Sequence, residues 1–222
     1  MNKILLPALL VSLFMGAKAQ SPLQFGAMPS VNINKKFQKD WTGNFKAESR
    51  LILYNEEFDY KYSLTDLSLI ASKRISPSAS FGFGYLARIE DNTVKNRAIQ
   101  QLSLVRRYTG WRLAHRIMAD QTFEKDEDTE FRFRYRISAE FPLEGQTLDV
   151  GEFFLKANNE YLNSFQGGEY DLEIRTTLLL GYSISARNSL EAGADYRVDS
   201  FISNNTRNRL WFSINFFQSI GK

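Results

Sequence analysis

The chain of 222 residues contains no cysteine, so its fold forms without disulfides and its chemistry without thiolate nucleophiles or cysteine-bound metals. It has five prolines and thirteen glycines, and this scarcity of structure-breaking residues favours long regular elements. Its single histidine, His115, restricts histidine-based catalysis to one position. Beyond the N-terminal region, no apolar run approaches the roughly 20 residues of a transmembrane helix, so we expect no such helix in the mature protein.

Residues 1–19 have the order of segments that characterises a secretory signal peptide. A cationic start precedes an apolar run over 4–15, and Ala17-Lys18-Ala19 supplies a cleavage site with small residues at both ends. The apolar run is too short for a membrane anchor, which needs about 20 residues. We therefore expect removal of this segment and a mature single domain over residues 20–222, without a lipid anchor because Gln20 is not cysteine.

The predicted mature chain is nearly neutral. The whole chain carries a formal charge of +3, and two of its lysines lie in the signal segment, which leaves twenty-six basic against twenty-five acidic residues. No basic field that would attract nucleic acid is therefore expected. Charged residues make up 24% of the chain and aromatic residues 14%, so the fold must separate the two sets. A β-strand does this with its two-residue period.

Strict alternation of apolar and charged residues recurs along the mature chain. The clearest case reads Phe131, Phe133 and Tyr135 on one parity, and arginines between them on the other. A helix would spread these charges around its whole circumference, whereas a strand has one apolar and one charged face. We expect eleven strands, near residues 29–37, 42–54, 60–74, 78–90, 96–108, 111–124, 129–141, 151–162, 169–183, 189–200 and 206–217.

Strand and connection lengths predict how these strands assemble. Most strands exceed the usual length of about 5–6 residues and suit a tilted crossing of a bilayer. We expect the connections to alternate between the two ends of the strands. At one end they are short, near 76–78, 109–110 and 185–188, with one longer exception at 143–150. At the other end they are longer or more polar. This asymmetry is typical of outer-membrane barrels, whose short turns are periplasmic.

We therefore predict an all-β fold, a single antiparallel transmembrane β-barrel of about ten to twelve strands with a polar lumen. Bacterial barrels of this type usually have an even number of strands. Ten strands from residue 42 onwards would close such a barrel. Residues 20–40 would then form an extra strand, a segment inside the lumen or a periplasmic tail.

Aromatic residues are concentrated near both ends of the predicted strands, as in the interfacial girdles of membrane barrels. Aromatic residues are also good strand formers, so their presence alone does not distinguish the two explanations. On the short-turn side we place Trp41, Tyr108, Trp111, Phe141, Tyr182 and Phe217. On the other side we place Tyr54, Tyr60, Phe123, Phe131, Tyr161, Tyr170 and Phe201.

The charged parity carries both signs and is the candidate functional site. One interpretation is a constriction that attracts anions, since rings of charge set pore selectivity. The other, which we favour because the signs are evenly interleaved, is a network of ion pairs that fills a narrow lumen and holds the barrel shut. The candidate residues are Arg112, Arg116, Asp120, Arg132, Arg134, Arg136, Glu140, Lys156, Glu160, Glu173 and Arg175.

Two other classes of function are compatible with the alternation. A soluble periplasmic β-barrel would turn its apolar face inwards around a hydrophobic ligand, although long strands and asymmetric loops favour the membrane arrangement. An outer-membrane lipid hydrolase would need a serine activated by His115. Pairing across Thr109-Gly110 places Leu104 opposite this histidine and Ser103 on the other parity, so the sequence does not support a triad.

The order and spacing of several stretches resemble the Gram-negative family catalogued as domain of unknown function 2490, from about Phe25 to Phe217. The stretches are RFRYRISAEFPL at 132–143, EFFLKANNEYL at 152–162, DLEIR at 171–175, LEAGADYRV at 190–198 and RLWFSINF at 209–216. The resemblance implies an outer-membrane β-barrel with no established activity or catalytic residues. One departure is that the last aromatic, Phe217, is followed by five more residues.

These observations lead to one expected function, a non-enzymatic outer-membrane β-barrel that acts as a narrow channel or as a structural or interaction protein of the envelope. Outer-membrane lipid is the expected partner. We expect no nucleic acid, cofactor or metal, and the sequence does not specify a protein partner.

Overall fold

A computed structural model describes residues 23–91, 93–202 and 206–221, and the predicted signal segment lies outside these ranges. Each of the eleven expected strands is present, with bounds that differ by a few residues. No helix in the described ranges is long and apolar enough to cross a membrane. The strands are β1 (Leu23–Lys36), β2 (Trp41–Asn55), β3 (Glu57–Arg74), β4 (Ala79–Glu90), β5 (Thr93–Tyr108), β6 (Trp111–Phe123), β7 (Glu130–Pro142), β8 (Phe153–Gln166), β9 (Glu169–Ser185), β10 (Asn188–Asp199) and β11 (Arg207–Ile220).

The strands form one closed barrel, in which each strand pairs antiparallel with the next and β1 pairs with β11. This last pair is parallel and runs from Leu23 opposite Asn208 to Lys35 opposite Ile220. An odd number of strands in a meander leaves the first and last pointing the same way, so the seam cannot be antiparallel. The prediction of a wholly antiparallel barrel is therefore wrong, whereas eleven strands lie within the predicted range of ten to twelve, and Leu23–Lys36 is a strand of the wall.

Side chains of successive residues point alternately outwards and into the lumen. Phe131 and Phe133 lie on the outside with 55% and 49% of their surface exposed, while Arg132 between them is buried against Asp120. The same inversion holds in β4, where Phe81 and other aromatic residues are exposed and the opposite parity lines the interior. The apolar parity is therefore the outer surface of this barrel, and the charged parity is its interior.

The predicted asymmetry of connection lengths is wrong. We name the two ends of the barrel after their connections at 143–152 and 124–129. Besides the connection at 143–152, the first rim has connections of four, four, two and two residues. Besides the connection at 124–129, the second rim has connections of one, two, two and seven residues, so neither rim is consistently the shorter. Several polar segments on the side where longer loops were expected belong to strands instead. The strands extend this far because residues with a positive φ let the chain reverse within one or two residues. Glu56 (φ 67°) reverses the chain alone between β2 and β3, and Gly167-Gly168 (φ 58° and 85°) does so between β8 and β9.

Aromatic rings contact one another at both rims. At the 143–152 rim Tyr108 stacks on Trp111 with ring centroids 4.5 Å apart, and Phe153 lies 4.8 Å from Tyr182. At the 124–129 rim the pairs are Tyr54 with Phe58 at 5.3 Å and Phe165 with Tyr170 at 4.9 Å. Two aromatic belts thus border the apolar surface, as expected from the positions of aromatic residues in the sequence.

The placement of Phe217 in the outer belt is wrong. This ring lines the lumen, and the Nζ of Lys156 lies 5.2 Å from its centroid. Phe217 follows Phe216 on the outward parity, so strand periodicity directs it inwards. A second large ring inside the barrel is that of Trp211, which is buried against Gly26, where any Cβ would come within 2.5 Å of the indole.

Candidate functional site in the barrel lumen

The first of two arginine clusters in the lumen surrounds Asp120, whose exposed fraction is 0%. Arg132, directly opposite on β7, donates from Nε to Oδ1 at 2.7 Å, and Arg134 donates from Nε to Oδ2 at 2.9 Å. Arg97 reaches the same carboxylate from β5 at 3.3 Å and donates to Thr122 at 2.9 Å. One carboxylate therefore holds three guanidiniums from the two strands that flank β6.

The second cluster surrounds Glu160 of β8, which is 1% exposed. Arg116 and Arg136 donate to its Oε2 at 3.0 and 2.8 Å, and Arg175 donates to Oε1 at 3.1 Å. Arg175 also forms two bonds of 2.7 and 2.8 Å with Glu173. Strands β6, β7, β8 and β9 are thus linked by charge-assisted hydrogen bonds in addition to their backbone ladders.

The structure brings all eleven predicted site residues onto the inner face, and each takes part in an ion pair. Arg112 donates to Glu140 at 2.6 Å, and this pair is the most exposed of the set. Lys156 does not pair within the predicted set but with Glu191 at 2.8 Å. The network that was inferred from sequence is therefore present, with a different partner for one lysine.

Several interior charges were not in the predicted set, although alternation places them on the charged face of their strands. Asp66 of β3 accepts two bonds of 2.8 Å from Arg88 of β4, and Glu48 accepts from Arg50 on the same strand at 2.9 Å. Arg197 donates to Asp195, also on its own strand, at 2.5 Å. The alternation of apolar and charged residues could have identified them, since each lies at a position whose side chain points into the lumen.

The lumen contains two cavities of unequal size and charge. The larger has a volume of about 400 Å³ and is lined, among the described residues, by eleven arginine and lysine side chains but four carboxylates. The smaller, of about 220 Å³, lies at the 124–129 rim and is lined by Lys95, Glu124 and Asp128 among others. Arg88, Arg97 and Arg132 line both cavities and so form the boundary between them.

His115 lies on the outer face of β6, in register with Leu104 as expected. Its Nδ1 is 2.8 Å from the hydroxyl of Tyr135, so its hydrogen-bond partner is a phenol and not a serine. Ser103 is in register with Arg116 on the inward parity. The arrangement does not provide the nucleophile and base of a serine hydrolase.

The geometry defines a closed eleven-strand β-barrel with an apolar exterior and an ion-paired interior. The chain matches the family described as "Protein of unknown function (DUF2490)" over residues 25–219, which includes part or all of every strand, and it belongs to that family. No curated protein matches the chain, and no solved structure does. The resemblance inferred from sequence is confirmed, and the function has to be argued from the barrel itself.

Proposed function

We propose that this protein is a membrane-spanning β-barrel of a Gram-negative outer membrane, exported by its N-terminal signal peptide, and that it is not an enzyme. The observation that supports this most strongly is the inverted distribution of side chains. Exposed large apolar residues occur on the outer face of every strand, and the buried side chains include four arginines and eight carboxylates. Acyl chains suit such an exterior, whereas water does not.

The extent of the apolar surface supports a lipid environment. Monomeric soluble proteins rarely expose contiguous apolar patches larger than a few hundred Å². Here the outer parity carries Phe83, Leu178, Leu180 and Phe212 with about half of each side chain exposed, and comparable residues follow around the barrel. Aromatic belts at both rims correspond to the two interfaces of a bilayer.

The interior opposes the alternative of a soluble carrier for hydrophobic ligands. Such a carrier needs an apolar pocket with few polar groups. The larger cavity is instead lined mainly by polar and charged side chains, eleven of which are arginine or lysine. A hydrophobic molecule placed there would separate ion pairs without replacing their hydrogen bonds, which is unfavourable.

The envelope role that the geometry favours is structural. Asp120 and Glu160 each hold three arginines, and the resulting links cross the lumen face of five neighbouring strands, β5 to β9. A lumen filled in this way resists collapse and restricts free diffusion of solutes. The barrel would present its rims to other envelope components while outer-membrane lipid surrounds its wall.

Cell fractionation tests the membrane assignment. We expect the exported protein in the outer-membrane fraction, soluble only with detergent, and migrating faster on a gel when unheated than when boiled, because a closed barrel resists denaturation by dodecyl sulfate. A chain that begins at Gln20, without the signal segment, should remain in the cytoplasmic or insoluble fraction. Recovery of the exported protein in the detergent-free periplasmic extract would refute the proposal.

A narrow channel with a preference for anions is a second candidate. The specific observation in its favour is that the two cavities meet at Arg88, Arg97 and Arg132. A path between the rims would pass these three cations, and rings of charge of one sign select ions of the other.

Replacement of Arg97 by glutamine tests the channel. Asp120 keeps Arg132 and Arg134, so the barrel should remain folded while the boundary loses one positive charge. We expect planar-bilayer recordings to show a lower anion-to-cation permeability ratio, by about twofold or more, for this variant. Arg107→Gln, at an exposed position near the end of β5, should leave the ratio unchanged. Absence of conductance in the folded wild type would contradict a channel and leave the structural role.

A further inference from the structure

We propose that the larger lumen cavity is a binding site for a small oxyanion of the phosphate class, held chiefly by Arg50 and Arg197. This goes beyond the proposed function, because the site would bind its ligand whether or not the barrel conducts ions. It also differs from the clusters around Asp120 and Glu160, in each of which three arginines share one carboxylate, whereas Arg50 and Arg197 each bond to a carboxylate on their own strand.

The first argument is the charge of the cavity wall. Its eleven basic residues face four carboxylates, and with the four that pair with them from behind the wall, Asp120, Glu160, Glu173 and Glu130, eleven basic residues stand against eight acidic ones. The excess is local, since the whole chain carries a formal charge of only +3. Several positive charges confined in a small volume create a field that concentrates anions.

The second argument is an incompletely bonded arginine. Arg197 is 3% exposed and lines the cavity. Its Nε donates to Asp195 at 2.5 Å, and its Nη2 lies 3.2 Å from the sulfur of Met28. Its Nη1 is buried and has no hydrogen-bond partner. A buried charged donor without an acceptor is costly, so an anion that accepted this bond would be bound favourably.

The third argument is the arginine that faces it. Arg50 of β2 is buried, and its two hydrogen bonds both go to one oxygen, Oε1 of Glu48, at 3.2 and 2.9 Å. Its guanidinium is close enough to Arg197 for the two like charges to repel, although β1 and β11 separate their strands in the wall. The Glu48 carboxylate interacts electrostatically with both guanidiniums, and Asp66 lies 3.7 Å from Arg50, so part of this repulsion is already offset; an anion in the cavity would offset the remainder.

The chemistry of the donors selects the class of anion. Guanidinium groups present pairs of N–H donors that match two oxygens of a phosphate or sulfate, whereas chloride offers a single acceptor atom and cannot form two parallel bonds. Arg88 also lies within electrostatic range of Arg50 and lines the same cavity. A tetrahedral oxyanion can accept bonds from several directions at once, and a volume of about 400 Å³ admits it together with water.

Trp211 provides a reporter within the site. Its ring is buried in the lumen, and the Arg50 guanidinium lies 6.0 Å from the ring centroid. The other two tryptophans, Trp41 and Trp111, contact aromatic residues on the barrel exterior. The variant Trp41→Phe/Trp111→Phe therefore leaves a single fluorophore, whose emission should respond when the Arg50 charge is neutralised by a bound anion.

The test is a titration of this variant with inorganic phosphate in a nonionic detergent, at constant ionic strength set with chloride. We expect a saturable change in Trp211 emission and a matching heat of binding by calorimetry. Arg197→Gln in the same background should bind phosphate at least tenfold more weakly. Arg197→Lys, which keeps the charge but loses the paired donors, should be intermediate. Arg107→Gln, at an exposed position near the end of β5, should bind as the parent does.

Several results would overturn the site. One is the absence of both saturable emission change and binding heat in a parent that shows the gel mobility of a folded barrel. Another is an equal response to chloride, which would indicate screening and not binding. Equal phosphate affinity in the Arg197→Gln protein would place any bound anion elsewhere. If that variant fails to fold, the comparison of Arg197→Lys with the parent decides the question.

Discussion

Replacement of Ile117 by arginine is expected to lower the free energy of unfolding in lipid vesicles by about 2–4 kcal/mol, the range for an arginine on the lipid face near the bilayer midplane. Ile117 is at the centre of β6, points outwards and is 36% exposed. Its neighbours across the two adjacent strands are Leu102 and Tyr135. A guanidinium at this position would have no lumen partner and would have to enter the hydrocarbon layer.

Denaturant titrations in phosphatidylcholine vesicles, followed by the gel mobility of unheated samples, would measure this loss. Ile75→Arg is the matched control, because Ile75 is exposed in the connection between β3 and β4, beyond the strands. Its stability should change by less than about 1 kcal/mol, as charged substitutions near the interfaces do. If both variants were as stable as the parent, the exterior would not face lipid.

Replacement of Asp120 by asparagine is expected to lower the free energy of unfolding by about 3–5 kcal/mol, the cost of leaving buried charges without their partner. Asparagine has nearly the same shape but carries no charge. The guanidiniums of Arg97, Arg132 and Arg134 would then lie together in the lumen with little to offset their repulsion. Most of the loss should therefore come from repulsion and desolvation and little from packing.

A second substitution distinguishes these causes. If repulsion dominates, Asp120→Asn combined with Arg134→Gln should recover part of the lost stability, so that the two effects are not additive. Glu140→Gln provides a comparison, since its partner Arg112 has 40% of its side chain exposed and the pair is partly screened by solvent. A loss for Asp120→Asn no greater than that for Glu140→Gln would show that the cluster does not stabilise the barrel.

The faces of the strands could be predicted because the two-residue period leaves little freedom. If residues 130–141 form a strand, the side chains of Phe131 and Arg132 must point to opposite faces of the sheet. The sequence also contains enough strand signal to count eleven segments. Eleven strands in a closed meander would themselves imply a parallel seam, but the even strand number usual in bacterial barrels left the first segment without a certain place in the wall.

The contents of the lumen were only partly predictable. The Arg132–Asp120 and Arg136–Glu160 pairs join consecutive strands, so their register follows from the hairpins between them. The approach of Arg50 to Arg197 depends on the curvature and closure of the whole barrel, which no local pattern specifies. Connection lengths were mispredicted because polar residues such as Glu56 can occupy a one-residue reversal within a continuous ladder.

The parallel seam places the two ends of the chain on opposite sides of any membrane that the barrel spans. The strand β1 starts at the 124–129 rim, where β11 also starts, and β11 ends at the 143–152 rim. In such a barrel Leu23 and Ile220 therefore face different compartments. The first backbone contact of the seam joins Leu23 to Asn208, so the ring is completed only when the most distant parts of the polypeptide meet.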